Sequence, residues 1–311
     1  MNKKKKIIIV NVLIGVLALL AVVSVGAVIF AVSHRSDNEE VSSEPEDIVA
    51  TMDTAASDEL KISLDDLQPE IEKIIADVKE SVGGDWSVYI TIPRTGDVLS
   101  INQKKMQAAS VIKVFVMGAV YEEYDELTKE YAGYDLDGLI RDMIVISDND
   151  CADLLVSMLG RGDYVQGMNK VTQFCERNGF KNTTMERLMN MDNIYSDNLT
   201  TTEDTAKFML MIYNGKLENS KEMLKLLAEQ DRKLKIPAGV PSNVRTANKT
   251  GELDDVQNDT AIVYTKYPYI ISVMADGVGD YQIPIDAIAD ISKVAYDYIF
   301  DIEEEATWTV K

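Results

Sequence analysis

Residues 107–124 read QAASVIKVFVMGAVYEEY, and this stretch decides the fold. Its apolar residues lie on nearly every side of a helical wheel, so the sequence predicts a helix buried inside the protein. Ser110 opens this helix and Lys113 follows three positions later, which places the two side chains on one helical face. The stretch therefore predicts a buried helix that presents a hydroxyl and an amine together at its start.

Burial of Lys113 would favour its neutral form, because a lysine that loses hydration has a lowered pKa and can act as a base. The N-terminus of the helix would stabilise a developing alkoxide on Ser110, and the backbone N–H of Ser110 can face an oxyanion. A Ser-x-x-Lys pair also arises by chance in a chain of this length. The alternative is a lysine at a helix edge that extends to solvent.

On the N-terminal side of this stretch the sequence predicts a helix and a β-hairpin. Apolar residues recur at helical spacing from Leu60 to Val82, and Gly83-Gly84 ends the pattern. Alternating residues then predict a strand from Trp86 to Ile92, a turn, and a second strand from Asp97 to Asn102. An amphipathic helix followed by a hairpin is the expected opening of the packed domain.

On the C-terminal side a helical block precedes a return to strands. Helices are predicted for 136–159, 163–178 and 202–227, and the last of these has capping-box spacing at 200–203. Strands are predicted for 244–250, 260–265 and 269–275. A final helix is predicted over 285–300. This order predicts an α+β fold, in which an antiparallel β-sheet is flanked by helices and an all-helical lobe is inserted.

The N-terminal segment reads unlike the rest of the chain. Residues 1–6 are a basic tail, 7–33 carry no charge and are long enough for a transmembrane helix, 34–60 are an acidic flexible stalk, and 61–311 form the packed domain. A cleaved signal peptide is the competing interpretation, but its apolar region would be shorter. The positive-inside rule predicts a single-pass protein of the cell membrane, with a cytoplasmic N-terminus and an extracytoplasmic domain.

Composition excludes several classes of function. With 52 acidic and 31 basic residues the formal net charge is −21, so nucleic acid is an unfavourable partner. The only histidine, His34, lies in the stalk, which excludes a Ser-His-Asp triad, a Cys-His pair and a histidine-ligated zinc site in the domain. No metal or organic cofactor is implied. Cys151 and Cys175 could form a disulfide or remain two buried thiols.

Three motifs in order give the chain a family resemblance. They are Ser110-Val-Ile-Lys113, Ser147-Asp148-Asn149 on a predicted helical segment, and Lys249-Thr250-Gly251 at the end of a predicted strand. Read together with their flanking residues, they resemble the class A β-lactamases and penicillin-binding serine hydrolases, from about residue 61 to the end. Ser-Asp-Asn alone is weak evidence, because the same triplet also begins at Ser36 and Ser196.

The resemblance implies a covalent mechanism. Ser110 would attack a carbonyl and form an acyl-enzyme, with Lys113 as the proton acceptor. Ser147 would relay the proton to the departing nitrogen, and the backbone N–H groups of Ser110 and Glu252 would form the oxyanion hole.

The resemblance also implies a set of binding residues. Lys249 and Thr250 would hold a substrate carboxylate, and Asn149 would orient the substrate and the lysine of the first motif. Gly251 would let the substrate approach the strand backbone. The expected ligand is a β-lactam or a small molecule that resembles a peptidoglycan peptide.

The chain departs from class A β-lactamases where a glutamate should activate the deacylating water. In one register Glu186 and Asn190 have the required spacing and Glu186 is the base. In the other, which aligns more neighbours without a gap, the catalytic position falls on Met189 and its asparagine on Asn193. Glu186 would then be structural, paired with Arg187 or with a neighbouring helix, and rapid β-lactam turnover would be in doubt.

The interval between Ser110 and Ser147 is also shorter than is usual in that family, which predicts a more open cleft. The sequence therefore favours a β-lactamase-like hydrolase that acts slowly on β-lactams or related amides. The alternatives are a penicillin-binding, DD-peptidase-like enzyme of the cell wall, or a catalytically silent module that binds wall fragments.

Overall fold

A computed structural model describes residues 63–192 and 196–309. The predicted basic tail, the predicted transmembrane helix over 7–33 and the predicted stalk over 34–60 lie outside the described residues. Among the residues that are described, no helix combines the length and the apolar character that crossing a bilayer would require.

The described part of the chain follows the predicted order of a helix, a hairpin, a helical block, a run of strands and a final helix. The helices are α1 (Leu67–Val82), α2 (Ile112–Glu122), α3 (Tyr124–Glu130), α4 (Leu136–Val145), α5 (Asn149–Leu159), α6 (Tyr164–Arg177), α7 (Thr202–Tyr213), α8 (Ser220–Ala228) and α9 (Gln282–Thr309). The strands are β1 (Asp85–Thr91), β2 (Val98–Ile101), β3 (Met106–Gln107), β4 (Leu199–Thr200), β5 (Arg245–Leu253), β6 (Val256–Tyr264) and β7 (Tyr269–Asp276). Short 3-10 turns span Ala109–Val111 and Ile236–Gly239.

An antiparallel sheet organises the domain. Its strand order is β2-β1-β7-β6-β5, and each neighbouring pair runs antiparallel, so the predicted hairpin of β1 and β2 forms one margin. Strand β5, which carries the third motif, forms the other margin. The predicted α+β architecture with an antiparallel sheet flanked by helices is confirmed.

Helices cover both faces of this sheet. One apolar cluster joins α1 and α9 to the sheet, and the other surrounds α2 within the helical lobe. Alternate residues of one strand serve both clusters: Ile270 packs into the lobe and Ile271 packs against the opposite layer. Burial on both faces explains why the last strands read as nearly continuous apolar runs.

Two predicted helices are interrupted in the structure. The stretch 136–159 breaks between α4 and α5, where Ser147 has a φ of 61° and Asp148 caps α5 by accepting a hydrogen bond from the backbone N–H of Cys151 at 2.7 Å. The prediction that Ser147 stands on a helical segment is therefore wrong. It lies in a turn, because residues with a left-handed backbone end a helix.

The second interruption separates α7 from α8, where Gly215 has a φ of 64°. The cap of α7 also differs by one residue from the predicted capping box. Thr201 is the capping residue, and its side chain accepts a hydrogen bond from the backbone N–H of Asp204 at 3.0 Å.

Candidate active site

Ser110 lies in the 3-10 turn that leads directly into α2. Strand β5 packs against this turn at Gly251, where an added Cβ would come within 2.8 Å of the carbonyl oxygen of Ala108 and 3.0 Å of the backbone nitrogen of Val111. Only a glycine fits this approach, so Gly251 brings the third motif against the turn that holds Ser110. The sequence predicts a close approach at this glycine, but with the substrate as the approaching group.

Lys113 is fully buried on α2, as its apolar neighbours predict. Its Nζ donates hydrogen bonds to the carbonyl oxygen of Ser147 at 2.6 Å and to Oδ1 of Asn149 at 2.7 Å, and it lies 3.3 Å from Oγ of Ser147. Burial lowers the pKa of Lys113 to about 8, although the nearby Asp148 carboxylate opposes the shift. At pH 7 about one Lys113 side chain in ten is therefore a neutral amine, far more than for an exposed lysine.

The Ser110 hydroxyl is half-buried and makes no hydrogen bond to any described residue. Direct proton sharing between Ser110 and Lys113 thus stays a prediction from their spacing. Hydrogen bonds of catalytic groups often tighten only when a substrate binds.

Ser147 connects the first and third motifs. Its Oγ accepts a hydrogen bond from Nζ of Lys249 at 2.9 Å and faces Lys113 on the other side. The left-handed backbone of Ser147 turns its hydroxyl toward both lysines, which its place between α4 and α5 makes possible. A hydroxyl between two amines can pass a proton from one group to the next.

Lys249 and Thr250 belong to the margin strand β5. Lys249 is fully buried, and its Nζ also donates to the carbonyl oxygen of Thr250 at 2.8 Å. Burial holds the pKa of Lys249 well below its usual range, and the positive charge of Lys113 lowers it further. The neutral form of Lys249 is therefore favoured while Lys113 is protonated.

At the free edge of the sheet, alternate backbone N–H groups of β5 face the site. The backbone N–H of Thr250 donates to Oε1 of Gln230 at 3.1 Å instead of joining the ladder with β6. Backbone N–H groups two residues apart in a strand face the same margin, so the N–H of Glu252 faces the cleft as well. This orientation is the one that an oxyanion hole requires of Glu252.

These groups converge on a cavity of about 200 Å³. Its lining residues are Ser110, Ser147, Asn149, Arg232, Thr250 and Glu252. Lys113, Lys249 and Gly251 do not line the cavity themselves but lie behind the residues that do. The structure therefore brings together the residues that three separate motifs supply.

Arg232 is the lining residue that the sequence analysis missed. It lies in the connection between α8 and β5, and its Nη1 is 3.2 Å from Oε2 of Glu252. Its side chain remains about half exposed, with a relative accessibility of 47%. No motif marks this position, and a surface arginine has no spacing signal that would distinguish it from others.

The segment that should carry a deacylating glutamate is built differently. Glu186 is exposed and does not line the cavity. Arg187 forms a buried ion pair with Asp197 at 2.8 Å, so the expectation that Glu186 pairs with Arg187 is wrong. Arg187 pairs with the more distant Asp197 because this pair closes a loop around the buried guanidinium, while Glu186 points to solvent.

One carboxylate binds the backbone N–H groups of Met189 and Asn190. Asp153 accepts hydrogen bonds from the N–H of Met189 at 2.6 Å and from the N–H of Asn190 at 3.1 Å. The Asn190 side chain donates to Oδ1 of Asp150 at 2.8 Å rather than to Glu186. Asn193, the partner of Met189 in the second register, lies outside the described residues.

Two remaining questions from the sequence concern cysteines and metals. Cys151 and Cys175 are both free thiols, so of the two alternatives the structure has separate thiols. Within 63–192 and 196–309, no group of three or more acidic, cysteine or histidine side chains lies close enough to hold a metal ion.

Comparison with known proteins identifies solved structures that share this fold. Solved structures of the same fold include a β-lactamase from Sphaerobacter thermophilus, which is 22% identical with a TM-score of 0.63 over 73% of this chain and 95% of that one. A β-lactamase from Xanthomonas campestris is 18% identical, with a TM-score of 0.65 over 77% and 100% of the two chains. PBP-A is 22% identical, with a TM-score of 0.67 over 78% and 98%. None of the curated proteins matches the sequence significantly.

The fold and the ordered motifs define a protein of the class A β-lactamase and penicillin-binding serine hydrolase type. A family model described as the β-lactamase enzyme family matches residues 66–130 and 126–299. The chain belongs to the β-lactamase enzyme family.

Proposed function

We propose that this protein is a serine hydrolase whose Ser110 is acylated by β-lactams or related amides and whose acyl-enzyme is hydrolysed slowly. The observation that carries the proposal is the contact of two buried lysines with one hydroxyl: Lys113 and Lys249 both face Oγ of Ser147 beside the cavity that Ser110 lines. Burying two amines costs several kcal/mol of folding free energy, and a purely structural site would be more stable without them.

In the proposed acylation step, Ser110 Oγ attacks the carbonyl carbon and its proton passes to Lys113. The carbonyl oxygen becomes an oxyanion between the N–H groups of Ser110 and Glu252. When the C–N bond breaks, Ser147 donates its hydroxyl proton to the leaving nitrogen and regains one from the neighbouring amines.

Substrate binding in this proposal falls to the wall of the cavity. Asn149 would hold the amide of the substrate, and Thr250 and Lys249 would face its carboxylate. Arg232 adds an exposed guanidinium on the same wall, which can pair with that carboxylate directly. A ligand with a negative group near its scissile amide fits this distribution of charge.

Slow deacylation is supported by the acid-base groups among the described residues that line the cavity. Of the described residues that line it, Glu252 alone has a carboxylate, and this group contacts Lys235 at 3.1 Å, Arg232 at 3.2 Å and the Tyr281 hydroxyl at 3.0 Å. Although burial opposes the shift, these partners hold the pKa of Glu252 below its usual value. A carboxylate so stabilised is a weak general base.

A second candidate is a penicillin-binding, DD-peptidase-like enzyme of the cell wall. It is favoured by the thioether of Met189 at the position that the better-aligned register assigns to the catalytic glutamate. Such an enzyme would pass the acyl group from Ser110 to an amine or to water with a natural peptide, and β-lactams would inhibit it. Residues 7–33 would anchor either enzyme at the outer face of the cell membrane, with 34–60 as a stalk.

Labelling of the full-length chain with a fluorescent penicillin tests the acylation step. We expect a stable band from the wild type, none from Ser110→Ala, and an unchanged band from Ser100→Ala, a matched change at an exposed serine. Equal labelling of wild type and Ser110→Ala would contradict the proposal. Absence of any label from wild type would favour the silent binding module instead.

A further inference from the structure

Asn258 is a fully buried residue of β6 whose side chain faces the segment that precedes Ser110. In the pairing of β5 with β6 it lies opposite Gly251, the glycine that packs against the turn of Ser110. Asn258 is not among the residues that line the Ser110 cavity. The mechanism proposed above gives it no role.

The amide of Asn258 connects two separate segments of the chain. Its Nδ2 donates hydrogen bonds to the carbonyl oxygen of Gln107 at 2.8 Å and to the carbonyl oxygen of Ala108 at 3.1 Å. Its Oδ1 accepts a hydrogen bond from the backbone N–H of Ala275 on β7 at 3.3 Å. All the polar atoms of this buried amide therefore have partners, and they attach the segment before Ser110 to the sheet.

Other groups hold the same segment from its N–H side. Asp276, at the end of β7, accepts hydrogen bonds from the backbone N–H of Gln107 and from its Nε2, both at 2.9 Å. The backbone N–H of Ala108 donates to the carbonyl oxygen of Asn198 at 2.8 Å. Residues 107 and 108 are thus fixed by their N–H groups and by their carbonyl groups, and Asn258 binds both carbonyl oxygens.

The fixed segment leads into a residue with a strained backbone. Ala109, between Ala108 and Ser110, has a φ of 45°, in the left-handed region that is unfavourable for a residue with a Cβ atom. Such a conformation persists where the surrounding contacts determine it. The backbone of Ala109 sets the direction in which the chain enters the turn of Ser110, and so the direction of the Ser110 hydroxyl and N–H.

We propose that Asn258 is a positioning residue for acylation. By binding the carbonyl oxygens of Gln107 and Ala108, it holds Ala109 in the left-handed conformation and thereby orients Ser110 toward the cavity. Because Asn258 lies outside the cavity, its removal should slow the chemical step and leave substrate binding nearly unchanged. The inference rests on the proposed acylation of Ser110 and adds a residue that acts through the backbone.

Stopped-flow acylation of the full-length chain by a fluorescent β-lactam at increasing concentrations separates these two effects. Asn258→Ala should lower the saturating rate of acylation about 100-fold, because a misplaced nucleophile rarely reaches the reactive geometry. The half-saturating concentration should stay within about twofold of the wild-type value. Asn258→Leu has a similar side-chain volume and no donor, so it should show the same loss even where Asn258→Ala does not fold.

A second substitution tests whether Asn258 acts through Ala109. Glycine adopts a positive φ without strain, so Ala109→Gly/Asn258→Ala should be acylated about tenfold faster than Asn258→Ala. Ala109→Gly alone should remain within about threefold of the wild-type rate. A role of Asn258 in global stability alone predicts no such recovery.

Ile291→Ala is the control for stability, since it empties a buried position on α9 in the opposite layer. It should lower the Tm and leave the acylation rate unchanged. A wild-type saturating rate in Asn258→Ala and Asn258→Leu would overturn the proposal, as would a change confined to the half-saturating concentration. Absence of recovery with Ala109→Gly would overturn the action through Ala109. Absence of acylation in wild type and in Ile291→Ala would instead contradict the proposed function, and the positioning role with it.

Discussion

The Ser110 cavity and the loop from Glu186 to Asn190 differ in how their polar groups are held. On the side of α2 and β5, the amines of Lys113 and Lys249 are fully buried and converge on Ser147. In the loop from Glu186 to Asn190, the carboxylate is exposed and the backbone, rather than a reactive side chain, is fixed by Asp153.

This difference indicates that the residues for acylation and the residues for hydrolysis of the acyl-enzyme can occur independently of each other. Acylation needs a nucleophile, a base and a proton donor, and one side of the cleft has candidates for each. Hydrolysis of the acyl group needs an activated water, and the better-aligned register predicts the thioether of Met189 at the position of the activating glutamate. A chain with the first set alone would be acylated and would release its acyl group slowly.

The largest expected effect is on the acylation side. Lys113→Ala should slow labelling of Ser110 by a fluorescent penicillin about 1,000-fold, because the variant removes the proposed base. Circular dichroism should show the fold retained. Lys105→Ala, at an exposed lysine nearby in the chain, is the control and should label normally. Normal labelling of Lys113→Ala would remove Lys113 from the mechanism.

The next-largest effect is expected on hydrolysis of the acyl-enzyme, when a glutamate replaces Met189. Met189→Glu should shorten the lifetime of the penicillin adduct about 100-fold, because it adds a carboxylate at the position of the second register. The lifetime is measured by intact mass after excess penicillin is removed. Glu186→Gln should leave it unchanged, and a longer-lived adduct in Glu186→Gln would restore Glu186 as the base.

A smaller effect follows from the pKa of Lys113, which burial lowers to about 8. The neutral amine is the reactive form, so the rate of acylation should increase about tenfold for each pH unit below 8 and level off above it. Stopped-flow quenching with a fluorescent β-lactam over pH 6–10 measures this profile. A rate that is constant through pH 8, or that falls as pH increases, would contradict the role of Lys113.

The smallest effect concerns Arg232 and the carboxylate of the substrate. Arg232→Ala should slow acylation by a penicillin about tenfold, since one charge-assisted hydrogen bond is lost. Its effect on the corresponding neutral methyl ester should be negligible. Arg94→Ala, at an exposed arginine in the hairpin, is the matched control. Equal losses with acid and ester would mean that Arg232 acts on Glu252 and not on the substrate.

The sequence predicts the parts of this site that depend on local pattern. The apolar run around Lys113 predicts a buried helix because burial on all sides leaves no polar face. The third motif lies in a strand as expected. Both predictions rest on residues that are neighbours in the chain.

The features that the sequence does not predict depend on contacts between distant segments. Ser147 adopts a left-handed backbone where two helices meet, although the apolar spacing of the stretch is helical throughout. Arg187 selects Asp197 over its immediate neighbour because the folded loop buries that pair. Arg232 reaches the cavity from a connection with no motif. None of these choices leaves a signal in residue spacing.

The most direct test of the central claim is the fate of the adduct on the wild-type full-length chain. The chain is incubated with excess penicillin, and its intact mass is followed over time while hydrolysed penicillin is quantified. We expect a mass increase of one penicillin on Ser110 that persists for many times the acylation half-time. An adduct that decays as fast as it forms, with matching release of hydrolysed penicillin, would contradict it.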